Sequence, residues 1–132
     1  MLLSDDMTYR VLIIDDDISC ITALNSILSR QYTIHVSKCG YEGVMLAEKF
    51  LPDIVLLDIV MPEMDGFQVL AALKGSIITK DIPVMIITSL LDKSDEERCL
   101  ALGAVDYIRK PFGAEIVRLR VGNLLGHIYQ KR

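Results

Sequence analysis

Five short apolar runs recur along the chain, Val11 to Ile14, Tyr32 to Val36, Ile54 to Leu57, Val84 to Ile87 and Val105 to Ile108. Each has the length of one strand, and the segments between them carry apolar residues at helical spacing, so the rhythm predicts alternating β/α units. The first, third and fourth runs are almost unbroken Val, Ile, Leu and Met, which suits strands of a parallel sheet covered on both faces. The second and fifth mix in polar residues and suit the edges. Helical stripes are predicted at Ile18, Ile21, Leu24, Ile27 and Leu28, and more weakly at Val44, Ala47 and Phe50. Phe67, Leu70, Ala71 and Leu73 mark a third, and Cys99, Leu100 and Leu102 a fourth. The fifth, after Pro111, carries Val117, Val121, Leu124, Leu125 and Ile128, and Gly40, Gly66, Gly75 and Gly103 fall at the joins. With right-handed crossovers, these units wind most simply into an α/β fold, a doubly wound five-stranded parallel sheet of order 2-1-3-4-5 with five helices.

A length of 132 residues fits one domain. Residues 10–126 are expected to form it, with 1–9 as an extension and 127–132 as a tail or linker stub. A 52% apolar and 24% charged composition is that of a folded globular chain. The net charge of −4 argues against direct nucleic-acid binding, which calls for a basic stripe that displaces counterions. Arg118, Arg120, Lys131 and Arg132 read as a solvated helix face. Cys20, Cys39 and Cys99 form no Cys-x-x-Cys, so neither disulfides nor zinc is indicated, and a cytoplasmic location is expected. No apolar run approaches the roughly 18 residues needed to span a bilayer, and no membrane association is expected.

In an open parallel sheet, ligands bind beyond the carboxyl ends of the strands. Here those ends are polar: Asp15, Asp16 and Asp17 after the first run, Asp58 after the third, Thr88 and Ser89 after the fourth, Arg109, Lys110 and Pro111 after the fifth. Carboxylates gathered in one crevice repel unless a cation offsets them. A hard divalent ion suits them, and magnesium takes such oxygen ligands readily, with no Cys or His at the strand ends to favour zinc. Phosphoryl transfer needs an in-line nucleophile and neutralised charge. Asp58 can attack phosphorus, while Lys110 and Thr88 can each bind a phosphoryl oxygen. Singly, Asp17 reads more simply as a helix N-cap, and Thr88 serves equally well as a cap or a core hydroxyl. His35 and His127 read as ordinary packing or surface residues.

The segments VLIIDDD, DIVLLDIVMPEMDGFQVL, PVMIITS and GAVDYIRKPF, in that order, resemble the receiver domains of two-component response regulators. The likeness extends from Val11 to about Leu125 and implies a flavodoxin-like fold. It implies that Asp58 is the phospho-acceptor and that Asp15, Asp16, Asp58 and the Val60 carbonyl bind Mg2+, with Mn2+ as a substitute. It assigns Thr88, Lys110 and Tyr107 to phosphate sensing and switching, and a cis peptide to Lys110–Pro111. The donor would be a sensor histidine kinase or a phosphotransfer domain. The readout would be a changed face of the fourth helix, fifth strand and fifth helix, acting on an output domain, an effector protein or a second copy as a homodimer. The domain would catalyse its own phosphorylation without being an enzyme in the ordinary sense. Val60 and Leu90, two places beyond Asp58 and Thr88, border the path of hydrolytic water in this family. Neither can orient water, so dephosphorylation is expected to be slow.

Two other readings fit less well. A magnesium-dependent aspartate-nucleophile phosphatase would use an Asp-x-Asp element, which Asp15 and Asp17 provide only formally, with the following residues out of register. A nucleotide-binding module would need a glycine-rich turn after the first strand, and none is there. A degenerate receiver that acts only by protein binding stays open on the sequence. The identity of the output is also open, as is the choice between a stand-alone receiver and part of a longer regulator or hybrid kinase.

Overall fold

The computed structural model describes residues 8–90 and 92–131, with side chains as far as 126. Five strands, β1 (Arg10–Ile14), β2 (Thr33–Ser37), β3 (Ile54–Leu57), β4 (Val84–Thr88) and β5 (Asp106–Arg109), form one parallel sheet in the order 2-1-3-4-5. Five helices alternate with them: α1 (Ile18–Leu28), α2 (Gly40–Phe50), α3 (Gly66–Lys74), α4 (Lys93–Ala101) and α5 (Ala114–Lys131). The predicted architecture is the observed one, with β2 and β5 at the edges.

Successive strand residues point to opposite faces, which splits the core in two. Val11, Ile13, Ile54, Leu56, Met85 and Ile87 face α1 and α5, where Leu24, Leu28, Val117, Val121 and Leu125 meet them. Leu12, Ile14, Val55, Leu57 and Ile86 face α2, α3 and α4, and meet Ala47, Leu70, Leu73 and Cys99. All four residues of β3 and all five of β4 are buried, so their sequences have no polar phase.

Caps fix where each chain turns from strand to helix. Asp17 accepts the Ser19 N–H at the start of α1, Asp65 and Gln68 form a reciprocal capping box at α3, and Asp92 accepts the Asp95 N–H at α4. At Gly66 any Cβ would overlap the Asp58 carbonyl, so the loop from β3 can pass directly under the strand end only with glycine there.

Some stripe positions depart from expectation. Ile18 is 54% and Leu100 46% exposed, and Ala71 is also exposed. Ile18 opens α1 ahead of the turn that meets the sheet, and each short helix buries only a narrow strip. The ladder of β2 and of β5 sits one residue later than its apolar run, which leaves Val105 47% exposed. Helix α5 passes without a break through the boundary expected at 126 and reaches Lys131. The expected extension falls mainly outside the described residues, as do the side chains of His127 and Ile128. Among the described residues no helix is long and apolar enough to cross a membrane.

Candidate functional site

The sheet ladder continues one residue past the strands and thereby sets the site. The Asp15 N–H donates to the Ser37 carbonyl at 3.0 Å, the Asp58 N–H to the Ile14 carbonyl at 3.0 Å, and the Lys110 N–H to the Thr88 carbonyl at 3.0 Å. Asp15 and Asp58 therefore end neighbouring strands, while Lys110 reaches across from the edge. Its ammonium donates to Asp15 Oδ2 at 3.0 Å and to Asp58 Oδ2 at 3.2 Å. The remaining carboxylate oxygens are held by backbone, Asp15 Oδ1 by the Asp17 N–H at 2.9 Å and Asp58 Oδ1 by the Val60 N–H at 3.3 Å. Asp16 is exposed, yet one of its oxygens joins those of Asp15 and Asp58 in a group lying within 4.8 Å.

Burial raises the Asp15 pKa most, against hydrogen bonds from the Asp17 N–H, the Cys20 thiol and Lys110, and the Asp58 charge adds to the rise. Burial alone would lower the Lys110 pKa, but the Asp15 hydrogen bond and the charges of Asp58 and Asp15 outweigh it and leave it raised. The ammonium is thus a fixed positive charge. Three carboxylates face that one cation, so an excess of negative charge remains at the rim. Clustered oxygen donors with surplus negative charge suit a hard divalent ion.

Thr88 is buried at the end of β4, and its Oγ1 accepts the Leu90 N–H at 3.2 Å. Tyr107 packs half-buried on the core, and its hydroxyl donates to Glu96 of α4, a bond that raises its pKa. Val60 and Leu90 are 52% and 43% exposed beside the site. The Lys110–Pro111 peptide is cis. The structure thus brings together Asp15, Asp16, Asp58 and Lys110 and sets Thr88 on the adjoining strand end. Asp17 serves as the α1 cap, and Tyr107 lies apart from the carboxylates. Arg120 fastens α5 to β5, at 3.2 Å from Asp106 and 2.6 Å from the Tyr107 carbonyl. His35 stacks on Phe50 with ring centroids 4.3 Å apart.

Two residues at the site escaped sequence reasoning. Cys20 places its thiol on Asp15, and its own pKa is pushed up to about 12, first by burial and then by Asp15. Glu96 is the partner of Tyr107. Neither carries a sequence signal, because each contact depends on how a helix seats on the sheet.

Residues 11–121 match the family model of the response regulator receiver domain. The chain is 34% identical over 132 residues to a probable cyclic di-GMP phosphodiesterase of Vibrio cholerae, covering all of this chain and 29% of that protein. It is 38% identical over 118 residues to the DNA-binding dual master transcriptional regulator RpaA of Synechocystis sp., covering 88% of this chain and 48% of that one. The chain thus spans about half or less of the length of these relatives. The signal receiver domain of a signal transduction histidine kinase from Syntrophus aciditrophicus superposes with a TM-score of 0.83 at 33% identity, covering 92% of each chain.

Proposed function

The chain belongs to the response regulator receiver domain family, and on that premise we propose that Asp58 is the residue that takes the phosphoryl group. A receiver domain is a phospho-accepting regulatory module, and this one is a phosphorylation-dependent signalling switch. The observation that supports Asp58 is the single ammonium of Lys110 bridging it to Asp15, with Asp16 beside them.

The donor is a phosphohistidine of a sensor kinase or phosphotransfer domain. Its phosphorus–nitrogen bond breaks as a bond forms from an Asp58 carboxylate oxygen to phosphorus, and the imidazole leaves. Asp15, Asp16, Asp58 and the Val60 carbonyl would hold Mg2+, or Mn2+ in its place. When bound, the ion neutralises charge on the phosphoryl oxygens. Lys110 exchanges part of its bond to Asp58 for a phosphoryl oxygen. The Thr88 hydroxyl leaves the Leu90 N–H for another, which vacates space beside Tyr107. Tyr107 then gives up Glu96 and turns inward, so α4, β5 and α5 repack as the active state gains population. The domain comprises about residues 10–126 and controls an output domain or effector in the cytoplasm.

The test is to follow backbone amide resonances while acetyl phosphate and Mg2+ are added. Shifts at Asp58 that spread to Tyr107, Glu96 and α5 support the reading, and Thr88→Ala should keep the former and lose the latter. Shifts confined to the carboxylates in the unsubstituted protein would leave the switch without support.

A further inference from the structure

Helix α4 buries one residue, Cys99, so little packing fixes its place on the sheet. Two charged side chains tether it instead, and residues two apart on a helix point to opposite sides. Glu96 reaches β5, where it accepts the Tyr107 hydroxyl. Arg98 reaches α3, where its guanidinium carbon lies 3.8 Å from the centroid of the Phe67 ring. A guanidinium this close to a ring face is a stacked cation–π pair. Arg98 makes no ion pair among the described residues, so no carboxylate competes with the ring for it.

The ring under Arg98 is fastened to the loop that carries Asp58. Phe67 is 6% exposed and follows Gly66, which lies against the Asp58 carbonyl with no room for a methyl group, and both sit inside the Asp65–Gln68 capping box. Phe67 therefore cannot shift without moving backbone that touches Asp58. Through Arg98, α4 is joined to that loop by a route that passes through neither Thr88 nor Tyr107. The contact belongs to the arrangement in which Lys110 holds both carboxylates, Thr88 accepts the Leu90 N–H and Tyr107 donates to Glu96. A helix moves as a unit, so a shift of α4 that frees Tyr107 from Glu96 also drags Arg98 off the ring, and the pair opposes that shift.

We propose that Arg98 is a positioning residue, a tether from α4 to Phe67 that holds the domain in its resting arrangement and is released when the switch operates. This rests on the switch described under the proposed function. By linkage, whatever favours the resting arrangement weakens the response to the phosphodonor by the same factor. Removing the tether should therefore raise the population of the active arrangement before any phosphoryl group arrives. Arg98→Ala should be phosphorylated by acetyl phosphate and Mg2+ about fivefold faster than the unsubstituted domain. Without a donor, relaxation dispersion at the Tyr107 and α5 amides should report a minor state enriched to the same degree, with the shifts of the phosphorylated protein. Loss of a merely structural contact would not speed the reaction. Arg98→Lys, which keeps the charge without the planar stacking, should fall between the two. In a Phe67→Leu background, which keeps the core filled, Arg98→Ala should change neither readout, because the pair is already broken. Circular dichroism confirms that each variant folds. A rate that is unchanged or lower in Arg98→Ala, without enrichment of the minor state, overturns the tether. So does an undiminished effect in the Phe67→Leu background, which would mean that Arg98 acts through another neighbour. If phosphorylation of the unsubstituted protein leaves Tyr107 and α5 unmoved, the switch fails and the tether with it, whereas movement there beside an inert Arg98→Ala overturns the tether alone.

Discussion

Lys110 is the residue on which the site's charge balance turns. Its ammonium lies 3.0 Å from Asp15 and 3.2 Å from Asp58, and both carboxylates are buried. Lys110→Met removes the cation that bridges Asp15 and Asp58, so without divalent ions the domain should lose up to about 3 kcal/mol in urea denaturation. The lysine's pKa is raised in the fold, so its stabilisation is fully present below the ordinary value of 10.5 and fades as pH climbs beyond it. The Met variant should lack that alkaline loss. Val60 and Leu90 concern lifetime instead. Both are exposed and apolar beside the carboxylates, with the Val60 N–H on Asp58 and the Leu90 N–H on Thr88. Neither can orient a water for attack on phosphorus. The acyl phosphate should therefore outlast that of Leu90→Glu or Val60→Asn several-fold in a timed decay, and a lifetime of seconds in the unsubstituted domain would count against this.

At the scale of elements, the loop from β3 into α3 is the most constrained. Gly66 passes under the Asp58 carbonyl, donates its N–H to the Ile59 carbonyl at 2.8 Å, and lies inside the Asp65–Gln68 capping box that opens α3. A methyl group there meets backbone, which cannot step aside as a side chain would. Gly66→Ala should cost about 3 kcal/mol, the upper end of overpacking, and should displace Asp58 enough to slow phosphorylation. Calorimetry and the rate with acetyl phosphate check the two halves. Elements were also what the sequence displayed most plainly. β3 and β4 are buried on both faces, so their apolar runs have no polar phase to blur their bounds. Ile18 and Leu100 were misjudged because helical spacing identifies a stripe without saying how much of it the sheet can reach.

For the whole molecule, the arrangement of carboxylates at one end of the sheet was legible because a parallel sheet turns strand termini far apart in sequence into neighbours in space. Asp15, Asp58 and Lys110 each follow directly from a strand's last residue, and Thr88 is the last residue of its own strand. Contacts set by helix seating were not legible. The Cys20 thiol on Asp15 and the Glu96 acceptor for Tyr107 depend on tertiary packing. Binding a divalent ion only when folded should stabilise the entire domain. At a hundredfold excess over its dissociation constant, Mg2+ should add about 2.7 kcal/mol, raising the melting temperature by roughly 10 °C. Asp16→Asn should lose most of that rise, since Asp16 joins the cluster without bonding Lys110.

The most direct test is the intact mass of the protein after incubation with acetyl phosphate and Mg2+, followed by peptide mapping. One phosphoryl group, labile to base and located on Asp58, is expected, and none in Asp58→Asn. An unchanged mass, or a phosphoryl group that persists when Asp58 is replaced, would contradict the assignment of that carboxylate as the acceptor.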